Sequence, residues 1–231
     1  VYEAAYEAPA AAGLLWYYFI IYRAGDRLYY GNNRENLGGC GQLYAAEPPA
    51  YQITVQRAGA ATPNWFKDAV MYQIFPDRFC NGEPDGRVLS PKKNSVIQGC
   101  WTNTPFYIKD PATKKIMAWD FSGGNLRGII AKLSYLKELG INVIYLNPVF
   151  ESPSNHRYDT ADYLHIDPML GDNQLFATLT EKAREMGIYL ILDGVFSHTG
   201  SDSLYFNREG NYPGLGAYQS PASPYYPWYR F

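Results

Sequence analysis

Two polar clusters in the middle of the sequence contain side chains that can bind a ligand or move a proton. One lies in a long loop around His156 and Tyr158, and the other runs from Asp193 to His198. Histidine changes its charge near neutral pH, and tyrosine presents a flat apolar face with a polar tip, which suits the recognition of sugars. The candidate site residues are Asn155, His156, Tyr158, Asp159, Asp193 and His198.

Each candidate also has a simpler explanation. Asn and Asp side chains commonly bond to nearby backbone, so Asn155, His156 and Asp159 are equally candidates for loop scaffolding. Tyr158 can serve loop packing, and His198 can be a histidine whose hydrogen bonds are satisfied at a strand end. The sequence by itself therefore leaves both roles open at these positions.

A repeated pattern of helix and strand surrounds the two clusters. Apolar residues recur at helical spacing over 126–139, and Gly140 follows, which predicts a helix that ends at this glycine. The short apolar run 143–146 then predicts a strand that is covered on both faces. Residues 175–187 and 188–192 repeat the pattern, as in a parallel α/β fold.

Each polar cluster begins where one of these predicted strands ends. In parallel α/β folds the carboxyl ends of the strands carry the chemistry, because side chains and loops converge there. Asp193, Ser197 and His198 lie too close in the sequence to face one another as a nucleophile triad requires. An unrelated doubly wound α/β protein is an alternative fold, but no Gly-x-Gly-x-x-Gly motif opens either helix, which argues against a dinucleotide site.

The sequence patterns of the remaining segments indicate how the chain is divided into domains. Residues 1–58 read as the C-terminal part of an all-β, sandwich-like domain, and 59–64 as a linker of small residues. Residues 65–198 contain the α/β pattern, and 199–231 form an irregular excursion rich in aromatic residues and proline. Strands are predicted at 16–23, 27–30, 51–55 and 69–76, a long loop with a small hairpin at 80–120, and a helix cap at Ser122 or Asn125.

The composition of the chain argues against some classes of binding partner. The net charge is −2 and charged residues make up 18% of the chain, so nucleic-acid binding is not expected. No apolar run reaches the length that spans a membrane. Three scattered cysteines favour a reducing compartment over a disulfide framework, which suggests a cytoplasmic location, with an extracellular or cell-surface location as the alternative.

Several motifs resemble the α-amylase superfamily of glycoside hydrolases, and most of all its neopullulanase and cyclomaltodextrinase branch. Residues 68–79 are similar to the first barrel strand of that branch, and Gly123–Ile129 to the start of its first helix. Residues 152–163 resemble its substrate loop, and Asp193–His198 its first signature region. The resemblance implies a (β/α)₈ TIM barrel preceded by a β-sandwich.

The same resemblance implies roles for single residues. A tyrosine matching Tyr158 stacks under the sugar of an α-1,4-glucan at the cleaved residue, and a histidine matching His198 hydrogen-bonds to that sugar. Asn155, His156 and Asp159 belong to the matching substrate loop. An aspartate matching Asp193 is a structural support of the site. The implied partners are α-glucan oligosaccharides such as those of starch, pullulan or cyclodextrins, with α-1,4 and also α-1,6 linkages.

Calcium is the one cofactor that the resemblance suggests. Many α-amylases bind calcium through an Asn at the position of Ser197, and the serine argues against that site. The branch often has another calcium site, whose matching positions here are Asn81, Glu83, Gly123 and Asn125. Asn125 stands there in place of a carboxylate, and a hard cation needs several oxygens with some anionic charge.

Only the first three of the eight barrel strands have a match in this chain. Retaining glycoside hydrolysis needs a nucleophile and an acid/base carboxylate about 5–5.5 Å apart, and in the family both follow later strands. We therefore expect a fragment truncated at both ends, inactive alone, with its open strand edges favouring self-association or pairing with the missing part of the barrel. A non-catalytic glucan-binding module is the alternative function.

Overall fold

The computed structural model describes residues 3, 5–57 and 59–231, which form two compact units. The first unit ends at Lys67 and the second begins at Asp68, close to the predicted linker at 59–64. Residue 58, the predicted end of the β segment, lies outside the described residues, as do residues 1, 2 and 4. No helix in the described part of the chain is both long and apolar enough to cross a bilayer.

The first unit consists of two small antiparallel sheets. Strand β1 pairs with β5, and β3 lies between β2 and β4. The elements are β1 (Gly13–Tyr17), β2 (Phe19–Arg23), β3 (Asp26–Gly31), β4 (Gln42–Tyr44), β5 (Tyr51–Val55) and a short helix α1 (Asn64–Lys67). The described residues before residue 58 contain five strands, where the sequence analysis expected three.

The prediction of one strand over 16–23 was wrong. The chain leaves one sheet and joins the other at Tyr18, so that Tyr17 pairs with Tyr51 while Phe19 pairs with Tyr30. An unbroken apolar run does not show such a change of partner, because both strands carry the same kind of side chain. Ala24 and Gly25 then form a two-residue hairpin with positive φ at both positions, as the twist of the flanking strands requires.

A parallel three-stranded sheet forms the centre of the second unit. The strands of this unit are β6 (Met71–Ile74), β7 (Ser95–Ile97), β8 (Tyr107–Lys109), β9 (Ile116–Phe121), β10 (Val143–Leu146), β11 (Phe150–Glu151), β12 (Asp162–Ile166) and β13 (Tyr189–Leu192). The parallel sheet has the order β6-β10-β13, which is also the order of these strands in the sequence. The order contains no switch point among these strands, which argues against the doubly wound alternative.

The helices cover this sheet with the apolar faces that the sequence predicts. They are α2 (Leu126–Ala131), α3 (Leu133–Glu138) and α4 (Asn173–Glu185), with 3-10 turns at Pro76–Arg78 and Tyr226–Trp228. The first predicted helix is divided at Lys132, whose backbone leaves helical geometry for one residue. Gly140 and Gly187 both adopt positive φ after the helices, as predicted. Ile144, Leu146 and Leu179 are among the fully buried core residues.

Two segments, the excursions 80–120 and 199–231, lie outside this core. Residues 80–120 contain the predicted hairpin, β8 with β9, and also β7, which pairs in parallel with β9. Asn125 is the helix cap, because its side chain accepts a hydrogen bond from Gly128 N at 2.9 Å. Ser122 instead donates its backbone N–H to the carboxylate of Asp77. Residues 199–231 contain turns and the second 3-10 turn, as expected for an irregular segment.

Candidate functional site

The two polar clusters meet at the carboxyl edge of the parallel sheet. The Tyr158 hydroxyl donates a hydrogen bond of 2.8 Å to Oδ2 of Asp193, which directly follows β13. The imidazole Nε2 of His198 lies 3.0 Å from the backbone oxygen of Tyr158. The structure therefore brings Tyr158, Asp193 and His198 together, although 35 residues separate the tyrosine from the aspartate in the sequence.

Tyr158 is held as a neutral hydrogen-bond donor. Partial burial and then the hydrogen bond to Asp193 raise its pKa to about 12. Its side chain remains partly exposed, so that the ring is both oriented by Asp193 and accessible to a ligand. Burial and Asp193 also raise the pKa of Tyr145, on strand β10. Asp193 therefore interacts with two tyrosines, and its role as a support of the site stays a prediction.

Both ring nitrogens of His198 have hydrogen-bond partners. The carbonyl oxygen of Tyr158 can only accept, so Nε2 carries the proton, and Nδ1 can accept from the Ser197 hydroxyl at 3.0 Å. The side chain of His198 is exposed. Its orientation therefore depends on the position of the backbone between β13 and residue 198.

The other predicted residues of the substrate loop are engaged within the loop. Asp159 accepts hydrogen bonds from the hydroxyls of Ser152, at 2.7 Å, and Ser154. The Nδ1 atom of His156 accepts from Tyr158 N at 3.1 Å, and its ring packs edge-on against Trp119 with centroids 4.7 Å apart. Burial lowers the pKa of His156, which keeps the ring neutral. These contacts favour the scaffold role for His156 and Asp159.

Asn155 is buried and lies in the same scaffold. Its amide donates to the backbone oxygen of Asp120 at 2.8 Å and to Oδ1 of Asp120 at 3.2 Å. These bonds attach the substrate loop to the end of β9, and they direct the amide of Asn155 into the protein. A contact between Asn155 and a sugar stays a prediction.

A buried ion cluster under the loop was missed by the sequence analysis. Arg157 is fully buried with φ +62°, and its Nε lies 3.1 Å from Oδ2 of the fully buried Asp167. Lys92 contacts the same carboxylate and the backbone oxygen of Ser152. Burial opposes ionisation of Asp167, but the two cations outweigh it and hold its pKa below the ordinary value. The sequence does not predict this cluster, since charged residues in a polar loop are normally exposed to solvent.

A cavity of about 1050 Å³ opens beside His198. Aromatic rings and hydroxyl groups form most of its wall, a combination that suits a ligand with apolar faces and polar edges. The lining residues are Tyr163, Phe196, Ser197, His198, Thr199, Ser201, Tyr205, Phe206, Trp228, Tyr229 and Arg230.

The positions predicted for calcium lie together but do not suit a cation. Asn125 Oδ1 accepts from Gly128 N at 2.9 Å and from Gly82 N at 3.1 Å, which directs its amide nitrogen toward Asn81 Oδ1 at 3.1 Å. Asn81 Oδ1 also accepts from Glu83 N at 2.9 Å. The two amides therefore bond to each other and to the backbone, and neither side-chain oxygen is left for a metal.

At the remaining two positions the Glu83 side chain is engaged, while Gly123 has only a backbone carbonyl to offer a cation. The carboxylate of Glu83 lies 3.0 Å from Nε of Arg127 and 3.8 Å from Nη2 of Arg87, so two guanidinium groups neutralise its charge. Gly123 donates its N–H to Asp77 Oδ1 at 3.2 Å. The described residues contain no group of three or more His, Cys, Asp or Glu side chains arranged for a metal. The donor set therefore does not fit calcium at these four positions.

Comparison with known proteins identifies the family. The sequence matches the alpha-amylase catalytic domain over residues 73–230, from β6 to the end of the second excursion. The chain belongs to the alpha-amylase catalytic-domain family. The matched residues include all members of the Tyr158, Asp193 and His198 cluster.

Relatives of this alpha-amylase family member include enzymes of the predicted branch. An amylopullulanase of Thermoanaerobacterium saccharolyticum is 46% identical over 93% of this chain and 18% of its own length. Neopullulanase 2 of Thermoactinomyces vulgaris is 44% identical over 63% of this chain and 22% of its own. The predicted resemblance is thus confirmed, and the chain spans about a fifth of the length of these curated relatives.

A solved structure of the same family shares the fold of this chain. The cyclic alpha-maltosyl-(1→6)-maltose hydrolase from Arthrobacter globiformis, in complex with maltose, superposes with a TM-score of 0.56 and 36% identity. The similarity covers 72% of this chain and 32% of the hydrolase.

Proposed function

We propose that this chain is part of a glycoside hydrolase that acts on α-1,4- and α-1,6-linked glucans, and that it supplies the sugar-binding rim around Tyr158 and His198. One observation carries the proposal. A partly exposed tyrosine ring, oriented by Asp193, and an exposed histidine that bonds to the backbone oxygen of the same tyrosine lie at the carboxyl edge of a parallel sheet. A ring of this kind can cover the apolar face of a glucose unit, and Nδ1 of the imidazole can accept from a sugar hydroxyl in place of Ser197.

The strand order supports a barrel as the parent fold. Strands β6, β10 and β13 are neighbours in sequence order and parallel, which is the arrangement of three consecutive strands in a (β/α)₈ barrel. The names of the relatives, amylopullulanase and neopullulanase, and the maltose in the hydrolase structure support a glucan as the ligand. In this proposal the retaining mechanism uses carboxylates outside the matched three strands.

A non-catalytic glucan-binding module is the second candidate function. Asp193 is the carboxylate bonded to Tyr158, whose hydroxyl donates to it. Retaining hydrolysis needs two carboxyl groups about 5–5.5 Å apart across the scissile bond, and a support carboxylate of this kind does not provide that pair. If the chain alone binds a glucan without hydrolysing it, the result agrees with both the hydrolase part and the binding module.

Titration with maltotriose tests the proposal. Isothermal titration calorimetry on the 231-residue chain should detect binding, and Tyr158→Ala should weaken it by roughly tenfold through loss of the ring face. Tyr135→Ala, an exposed tyrosine on α3, is the matched control and should bind as the unmodified chain does. No measurable binding, or equal losses in both variants, would reject the proposed sugar site. Maltotriose turnover by the chain alone would reject the claim that the catalytic carboxylates lie elsewhere.

A further inference from the structure

We propose that Tyr163 is the positioning residue that fixes His198 beside the sugar site, an inference that rests on the proposed function. Tyr163 lies on β12, and its hydroxyl donates to the backbone oxygen of His198 at 2.8 Å. The same hydroxyl contacts the backbone oxygen of Val195 within hydrogen-bond distance. One phenol therefore holds both ends of the four-residue segment that contains Ser197 and His198.

The segment depends on this hydroxyl for its shape. Residues 193–198 contain no helix or strand, so the carbonyl groups of Val195 and His198 are not used in a regular hydrogen-bond ladder. A single phenolic proton between two carbonyl oxygens holds them close together in spite of their like partial charges. In a variant without this hydroxyl, the two carbonyl oxygens would face each other and the edge of an aromatic ring, with no donor between them. The backbone would then move so that the two oxygens separate.

Tyr163 is itself held rigidly. Its N–H donates to the hydroxyl of Tyr205 at 3.1 Å, and its ring centroid lies 5.7 Å from those of Tyr205 and Phe196. Phe150, on the neighbouring strand β11, packs edge-on at 5.9 Å. Burial raises the pKa of Tyr163, so the hydroxyl remains a donor at neutral and mildly alkaline pH. The phenol is a fixed point for the segment rather than a mobile side chain.

The orientation of the imidazole follows from the position of this backbone. Nε2 of His198 lies 3.0 Å from the Tyr158 carbonyl oxygen, and Ser197, the partner of Nδ1, lies on the same segment. A shift of the segment would break the bond between Nε2 and Tyr158 and change the tautomer of the ring. Tyr163 therefore acts through His198 on a sugar that covers Tyr158.

A double-mutant cycle tests this indirect action. In the full chain, Tyr163→Phe should weaken maltotriose binding by roughly tenfold, because one hydrogen-bond donor to two acceptors is lost. The same change in a His198→Ala background should have no further effect. Tyr218→Phe removes a hydroxyl from an exposed ring of the second excursion and serves as the matched control. Equal losses from Tyr163→Phe in both backgrounds, or no loss in either, would overturn the proposal.

A measurement without ligand separates this inference from the proposed function. Nitrogen-15 NMR of the imidazole should show His198 as the single Nε2–H tautomer in the unmodified chain and in Tyr218→Phe. Tyr163→Phe should give a mixture of tautomers while the melting profile stays cooperative. An unchanged tautomer in Tyr163→Phe would contradict the positioning role even if maltotriose binds. Failure of maltotriose to bind, with a changed tautomer, would reject the sugar site and leave the positioning of His198 intact.

Discussion

At the scale of single residues, the central feature is a tyrosine that burial and a neighbouring carboxylate keep protonated, and that the same carboxylate orients. The sequence identified Tyr158, Asp193 and His198 as candidates because each belongs to a polar cluster that follows a predicted strand, and the family resemblance implied their roles. It did not identify the bond between the tyrosine and the aspartate, or the burial of Arg157 directly before Tyr158. Contacts between residues far apart in the chain depend on sheet order, which apolar periodicity does not encode.

The first prediction concerns the ionisation of Tyr158. Carbon-13 NMR of the labelled tyrosine ring should give a pKa of about 12, and Asp193→Asn should lower it, because the hydrogen bond to a carboxylate favours the protonated phenol. Since the folded pKa is the higher one, this group's contribution to stability is complete below pH 10 and is lost as the pH rises toward 12. An unchanged pKa in Asp193→Asn would show that the contact with Asp193 is not formed in solution.

At the scale of elements, the regular parts of the fold were predictable and the irregular parts were not. The helices and strands at 126–146 and 173–192 have apolar periodicity, each helical segment is followed by a glycine, and they appear where the sequence predicts them, except that the first helix is divided at Lys132. The short strands β11 and β12 lie where the sequence predicts only a long loop. The change of sheet at Tyr18 and the parallel pairing of β7 with β9 depend on partners distant in the chain. The calcium prediction rested on resemblance, and the side-chain amides at those positions decide the local chemistry instead.

The second prediction concerns this pair of amides. We expect the melting temperature of the unmodified chain to be the same in millimolar calcium and in chelator, because Asn81 and Asn125 use their oxygens for backbone N–H groups. Asn125→Asp replaces the donor to Asn81 by a carboxylate oxygen and should cost about 1–3 kcal/mol in chelator.

Calcium should restore part of that loss in Asn125→Asp alone, since the new carboxylate supplies the missing anionic ligand. Asn173→Asp, another asparagine at the start of a helix, is the control and should not respond to calcium. Stabilisation of the unmodified chain by calcium would contradict the donor assignment.

At the scale of the whole molecule, the parallel sheet ends in two edge strands, β6 and β13. Edge strands present backbone donors and acceptors that can pair with another chain. Met71 on β6 and Leu192 on β13 are also substantially exposed. We propose that these edges cause self-association of the chain, or pairing with further strands of a barrel.

The third prediction tests the edges directly. Light scattering should show an average mass that increases with concentration, and Met71→Lys should reduce it, because a charge on an edge strand opposes pairing. Leu164→Lys places the same charge on β12, outside the parallel sheet, and should leave the mass unchanged. A monomer over the full concentration range would contradict edge pairing.

The most direct test of the central claim is a crystal structure of the chain with maltotriose. We expect a glucose ring in face contact with Tyr158 and a hydroxyl of the same ring within hydrogen-bond distance of His198 Nδ1, in place of the Ser197 hydroxyl. A sugar bound elsewhere on the chain, with both side chains still bonded only to the protein, would contradict it.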